Sequence, residues 1–522
     1  VIVSKARNNF VANLVARVWS AMSVYFFLPA YLGVLGREAF GLVAFFATMN
    51  VAITVLVSGW TRALRFEFSK PGDDLVDRRR KYELLRSYEV ACLAVAAGVA
   101  VVGMALAPII TRHVLTFEGL QAADVTSAIR LMFCCVAAQL LASAFASCLH
   151  GLLRQVRATV SEVVWATTRA VTAWAFGMLT GGDVVAFFAG FFVVDIGYAF
   201  ALRLQAFAAL ERDARTPWSI GGLRDLRILA AMSLGVSVTS IVYFFNTQID
   251  RVAIGKVLGL ADLGAYNLAA ALAQVPIVLT TAVAVTAFPV FVRVFHRDGR
   301  QGLGELVLRV GRPLSWVVAT LAAHLSVFAP EILTVWLGDA SLGAELRWVA
   351  FGLIGGSAML ALQQLTYEAL LAQSVTRVNL VMSLSMLPYS VVATPLLVGN
   401  FGLVGGAFSW LALMTASTCC YQAYVHAKYF EVGAARSVLT GVIAPFFIAF
   451  GWALAAASLA SRLTPDDLGR LAVAGVSGIL SVVIVLPVLS KDIRLSKLRK
   501  TSAGNRLPLD GVHSHEEPNT LP

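Results

Sequence analysis

The chain has 522 residues, 58% of them hydrophobic and only 14% charged, with a formal charge of +11 at pH 7. A soluble domain carries roughly a quarter charged residues, so this composition excludes a soluble globular fold. The 41 Lys+Arg against 30 Asp+Glu come with no nucleic-acid-binding motif and no aromatic–basic interleaving, and basic residues gather in the cytoplasmic loops of membrane proteins.

Apolar runs of about twenty residues recur along nearly the whole length, each enough to cross a ~30 Å hydrocarbon core as a helix. They lack the polar/apolar alternation of barrel strands, and only helices or closed barrels satisfy every backbone amide in lipid. The fold class is therefore an all-α polytopic membrane protein of about 14 transmembrane helices. The spans are predicted near 10–34, 40–64, 87–110, 123–149, 158–180, 184–206 and 228–248. They continue near 262–288, 311–335, 346–371, 379–399, 403–427, 437–461 and 470–490. The first, VIVSKARNNFVANLVARVWSAMSVYFF, superficially resembles a signal peptide. Its apolar part is too long, contains Arg17, and has no clear cleavage site, so it reads as a retained first span.

Joints rich in Arg and Lys, such as Arg62 to Arg86 with RRRK at 78–81, alternate with nearly uncharged ones such as GGDVV at 181–185. Placing the basic joints in the cytoplasm puts about 31 of the 41 basic residues inside. Both termini then face the cytoplasm, which needs an even number of spans. Twelve is the alternative to fourteen. From Lys491 the chain turns basic and then polar and reads as a disordered tail, in which His513 and His515 are more simply solvated than metal-bound. The six cysteines lie in apolar runs without a CxxC spacing and read as buried free thiols.

Two halves echo one another. LGREAFG at 35–41 matches LGLADLG at 258–264, GLLRQ at 151–155 matches ALLAQ at 369–373, and VYFF occurs at 24–27 and 242–245. The order is the same in each half. This divides the chain into a six-helix bundle at 1–210, a second at 211–430, two additional helices at 431–490 and a tail at 491–522, an arrangement that puts a substrate site between repeats.

Charges at mid-membrane are costly and usually face a cavity or a partner. Helical spacing groups them into stripes: Asn9, Asn13, Arg17 and Ser20; Gln139, Ser143, Ser147 and His150; Glu162, Trp165, Arg169 and Thr172; Thr239, Tyr243, Asn246 and Asp250; Asn267, Gln274 and Thr281. These stripes either line a chamber or supply interhelical hydrogen bonds. The second reading suits Ser, Thr and Asn. The first suits Arg17 and Arg169, because an arginine near mid-span needs water or an anion. Arg62 sits nearer the cytoplasmic interface and is able to snorkel. His324 titrates near neutral pH when free and is otherwise a buried, bonded histidine. Asp250 and Arg251 fall at the outer mouth of their span, on different helix faces. GxxxxGK[ST], HExxH and GxSxG are all absent. The external loops are too short for a catalytic domain. Transport without bound ATP remains.

The segment NTQIDRVAIGKVLGLADLGAYNLAAALAQVP (246–276) resembles the seventh-to-eighth span segment of bacterial polysaccharide-export flippases. YLGVLGREAFGLVAFF (31–46) resembles their first hairpin, and CLHGLLRQVRA (148–158) their fourth-to-fifth turn. Their superfamily also holds multidrug exporters and the peptidoglycan lipid-precursor flippase. The resemblance implies two six-helix bundles around a central cavity with alternating access. It also implies an undecaprenyl-pyrophosphate-linked oligosaccharide substrate, membrane lipids around it, and a polymerase and chain-length protein as partners in the inner membrane. It implies no cofactor, only an ion gradient or membrane potential.

Arginine suits a pyrophosphate, which singles out Arg17, Arg62 and Arg169, with Asn13 and Gln274 beside them. Glu162, Asp195, Asp250 and His324 are the groups able to couple or gate. The competing functions are an organic-cation exporter of the same superfamily, the peptidoglycan-precursor flippase itself, a membrane polymerase or ligase, and a non-transporting scaffold.

Overall fold

The computed structural model describes residues 2–69, 75–152, 154–210, 223–430, 433 and 438–484. Among these, every regular element is helical. In chain order they are α1 (Ile2–Ser69), α2 (Leu75–His113), α3 (Ala122–Gly151), α4 (Gln155–Leu179), α5 (Val184–Ala209), α6 (Leu223–Val257), α7 (Leu260–Ala273) and α8 (Val275–Val327). Short α9 (Ala329–Leu337) and α10 (Ala340–Glu345) lead to α11 (Arg347–Ala372) and α12 (Arg377–Pro388). A π-turn at Tyr389–Ala393 joins α12 to α13 (Thr394–Lys428), and a second at Leu439–Ile443 opens α14 (Ala444–Leu463). The last, α15, is Asp467–Ile484.

Ten helices are long and apolar enough to cross a membrane, by length and composition among the described residues, against the fourteen spans read from the sequence. Three of the ten runs contain a glycine with non-helical φ/ψ at which two helices join: Gly36, Gly299 and Gly402. The 25-residue α4 is not one of the ten. Glu162, Arg169 and its threonines lower its hydropathy.

The echoed LG-x4-G motifs form a reciprocal contact. Gly36 (φ 76°) and Gly259 (φ 108°) both take a left-handed turn conformation, which only glycine adopts without strain. Five residues on, Gly41 lies so close to Leu260 that an added Cβ would sit 2.0 Å from its carbonyl oxygen. Gly264 makes the mirror contact, its added Cβ 3.1 Å from the Arg37 carbonyl oxygen. Each turn packs its second glycine against the start of the other, as a local two-fold would require.

That contact lies in a large shared core. Leu28, Tyr31, Phe40 and Phe46 from α1 pack in one cluster with Ile254, Tyr266, Val349 and Ala407 from the later helices. At the ends bearing the basic joints, the cores are separate. One is built from residues between Ala63 and Leu210, the other from residues between Ala284 and Phe430. The early and late helices therefore share a core toward the glycine turns and have their own cores toward the basic ends. The expected boundary after residue 210, the tail 491–522 and its two histidines lie outside the described residues. All six cysteines are free.

Candidate translocation site

Within the early helices, one polar cluster centres on a fully buried acid. α5 carries a single acid, Asp195, fully buried. Its Oδ1 accepts a hydrogen bond from Trp165 Nε1 at 2.7 Å and lies 3.1 Å from Arg169 Nε; its Oδ2 accepts from Gln139 Nε2 at 2.9 Å. Three helices, α3, α4 and α5, are thus pinned by one carboxylate. The Arg169 guanidinium carbon stands 3.8 Å from the centroid of Phe191 and 5.2 Å from that of Phe46, contacts that favour a desolvated cation. Arg169 Nη2 is buried without a hydrogen-bond partner. The sequence singled out Trp165 and Arg169 as one face of α4 and Gln139 as part of α3's stripe. The structure adds that Asp195 is what they converge on.

Nearby, Trp19 Nε1 donates to Thr167 Oγ1 at 2.8 Å, bringing the first stretch of α1 beside the turn of α4 that carries Arg169. The side chains of Asn13, Arg17 and Arg62 themselves lie outside the described residues. Glu162, on the same face of α4 as Trp165, is exposed. In α3, Ser143 and Ser147 donate to the backbone carbonyls of Leu140 and Ser143, so the two serines of that stripe bond their own helix.

In the later helices Asn246 bridges α6 to α12 and the π-turn, donating from Nδ2 to Ser383 O and accepting from Ser390 Oγ, both at 2.8 Å. Asp250 is buried and accepts from Tyr266 Oη at 2.7 Å. Arg251 turns away to Gln248, its Nη1 2.6 Å from Oε1. The two side chains do not pair, although the Arg251 backbone N–H donates to Asp250 Oδ1 at 2.8 Å, and Asp250 is enclosed by a tyrosine of α7 rather than facing an open mouth. Tyr266 carries no charge to mark it as a partner in the sequence. Gln274 is exposed at the junction of α7 and α8. His324 is buried, with Nδ1 2.8 Å from Thr320 O and Nε2 2.8 Å from Ser477 Oγ. Both ring nitrogens are used, and the Nε2 contact fastens α15 to α8.

The shared end is closed by polar contacts across the chain. Tyr25 Oη donates to Ala271 O, Trp336 Nε1 donates to Tyr25 O, and Arg37 pairs with Glu345 at 2.8 Å. Leu260 N donates to Thr116 O at 2.9 Å, and Thr116 N to Gly255 O. At the opposite end Glu89 bonds both Arg86 and Arg203. Arg86 and Glu89 are three residues apart and so legible as a helical pair, whereas Arg203 comes from α5 and gave no such signal.

Residues 196–345 match the family described as "Polysaccharide biosynthesis protein"; the segment 246–276 lies inside that match. A comparison with curated proteins finds no match. Among solved structures, the lipid II flippase MurJ in an inward closed conformation is similar at TM-score 0.65 and 12% identity, over 92% of this chain and 98% of that one. An inward-facing multidrug resistance MATE family transporter of the MOP superfamily is similar at TM-score 0.62 and 12% identity, over 79% of this chain and 98% of that one. An outward-facing one gives TM-score 0.54 and 13% identity, over 83% and 96%.

The chain has the fold of the MOP-superfamily transporters. These findings agree with the polysaccharide-flippase resemblance of residues 246–276, and the ten long apolar helices on this fold indicate a multi-pass membrane protein. In it, the Asp195 cluster belongs to the early helices, the Asn246 and Asp250 bonds to the later ones, and the glycine turns to the end where they meet.

Proposed function

We propose that the chain is a flippase that moves an undecaprenyl-pyrophosphate-linked oligosaccharide from the inner to the outer leaflet of a bacterial inner membrane by alternating access. The observation that carries this reading is the coincidence of two likenesses on one chain. A polysaccharide-biosynthesis segment lies at 196–345, on a fold similar to a lipid-precursor flippase over 92% of the length. The two blocks are 1–210 and 211–430, with 431–490 as added helices. With the basic joints and both termini cytoplasmic, the end where the cores are separate opens inward, toward a substrate loaded from the cytoplasmic leaflet.

Arg17 and Arg62 are the proposed pyrophosphate anchors, with Asn13 and Gln274 as neutral bonding groups. Arg169 contributes less as a free cation, because Asp195 already compensates it. An ion gradient or the membrane potential supplies the energy. Of the coupling candidates Glu162, Asp195, Asp250 and His324, only Glu162 is exposed, so it is the one proposed to exchange an ion. No covalent step is needed, and the chain is not an enzyme in this reading. A polymerase and a chain-length protein act on its product. An organic-cation exporter would need an uncompensated acid in the cavity, whereas Asp195 is tied to an arginine.

The test is cellular. Removing the gene should make the lipid-linked oligosaccharide accumulate on the cytoplasmic face and stop polysaccharide export, with recovery on re-expression. Unchanged export and no accumulation would remove the proposal.

A further inference from the structure

A small cavity of about 30 Å³ lies between the second stretch of α8, α11 and the end of α13, with room for one or two water-sized particles. Its polar lining is Arg312, Ser315, Thr366, Gln422 and His426, and the last four are buried, none more than 7% exposed. Two nitrogens there are buried without any hydrogen-bond partner, Arg312 Nε and His426 Nδ1. Such groups are nearly always bonded in native proteins, so the pair points to an occupant.

The lining chooses between occupants. Among the described residues it contains no carboxylate, and Arg312 forms no ion pair. Arginine stays protonated under all ordinary conditions, and Arg312, half-buried, turns its one buried orphan N–H, Nε, into this cavity. Two of the remaining groups are able to donate into the cavity. Gln422 Nε2 spends one hydrogen on Leu362 O at 3.3 Å and keeps another, and a neutral His426 protonated on Nδ1 offers a second N–H. Ser315 already donates to Gly311 O.

We propose that this cavity is a small-anion site, taking a monatomic halide, chloride above all, between Arg312 and His426. Val307, Leu365 and Val425, on the same three helices, belong to the separate core of the later helices. The anion therefore clips α8, α11 and α13 into one rigid unit. The site is independent of the substrate and of the transport reading.

The test uses the purified full chain in detergent, with unfolding followed by tryptophan fluorescence as chloride replaces gluconate at constant ionic strength. The melting midpoint should rise with chloride and saturate, and bromide should substitute. In Arg312→Gln the half-saturating chloride concentration should increase by roughly tenfold or more, the loss of one charge-assisted hydrogen bond. A wild-type midpoint indifferent to chloride means that water alone fills the cavity and overturns the proposal; so does a chloride dependence unchanged in Arg312→Gln. If that variant does not fold, His426→Gln carries the same comparison. In crystals of the unaltered protein soaked in bromide, an anomalous peak between Arg312 and His426 supports the site, and none there contradicts it.

Discussion

Asp195 and Arg169 illustrate how much of a single residue's role is set by its neighbour. Each was legible as an isolated charge in an apolar helix, and either alone suggests a functional site. Their pairing was not legible, because it joins two helices whose relative rotation no local pattern encodes. Removing one partner leaves an uncompensated buried charge, which typically costs about 3–5 kcal/mol. Arg169→Ala should therefore lower the thermal midpoint sharply, while Arg169→Met combined with Asp195→Leu should recover most of it. A double variant as unstable as the single one would mean that the pair is not the source of the loss.

Arg17 is a different case, expected to bind rather than to brace. Arg17→Ala at normal expression should abolish glycan export with little change in stability, and export at wild-type level would remove it as an anchor. Outside the spans, the Asp339 carboxylate is held below its ordinary range by the Ser341 hydroxyl and the Leu342 and Ser341 amides. A depressed value stabilises the α10 cap above the unfolded-state pKa, and this is lost as pH falls through the folded one. Hydrogen exchange at Leu342, corrected for intrinsic rate, should accelerate in acid in the wild type but show no such step in Asp339→Ala.

At the scale of elements, the helices themselves were plain from apolar run length, and the glycine echoes were visible as spacing. The count was harder. A run such as Val275–Val327 continues through Gly299, and α4's polar face makes it fail a test that its neighbours pass. What the echo meant was also hidden, since the repeated glycines pack against each other only once both halves have folded. Gly41→Ala should be disruptive, because its Cβ would meet the backbone of Leu260 rather than a side chain able to move. A cost of about 1–3 kcal/mol or more is expected from such overpacking, read as a lowered thermal midpoint together with increased reactivity of a cysteine placed at Leu260. Gly33→Ala, with open space around its added Cβ, is the control. The Arg37–Glu345 pair at the same end is about half-exposed on both sides, so charge reversal of either residue should cost no more than about 1 kcal/mol. The glycine contact is thus expected to contribute more to the closure than the ion pair.

For the whole molecule, the core shared by early and late helices and the separate cores at the basic ends describe a body joined at one end and divided at the other. Arg79 and Arg300 are exposed near the two separate cores. Spin labels at these positions, in a background with the native cysteines replaced, should show a long distance that shortens when lipid-linked oligosaccharide is added. A distance indifferent to substrate would argue for a static scaffold. Substrate identity was the least legible property. In the proposed reading it rests on Arg17 and Arg62, and composition and spacing reveal only that cations are present. The most direct test is reconstitution in vesicles loaded with an undecaprenyl-pyrophosphate oligosaccharide, scoring the fraction exposed to an impermeant glycosidase under an imposed ion gradient. Exposure that rises above protein-free vesicles, and stops in Arg17→Ala, is the expected result. Exposure no greater than in protein-free vesicles, with uptake of an organic cation instead, would contradict it.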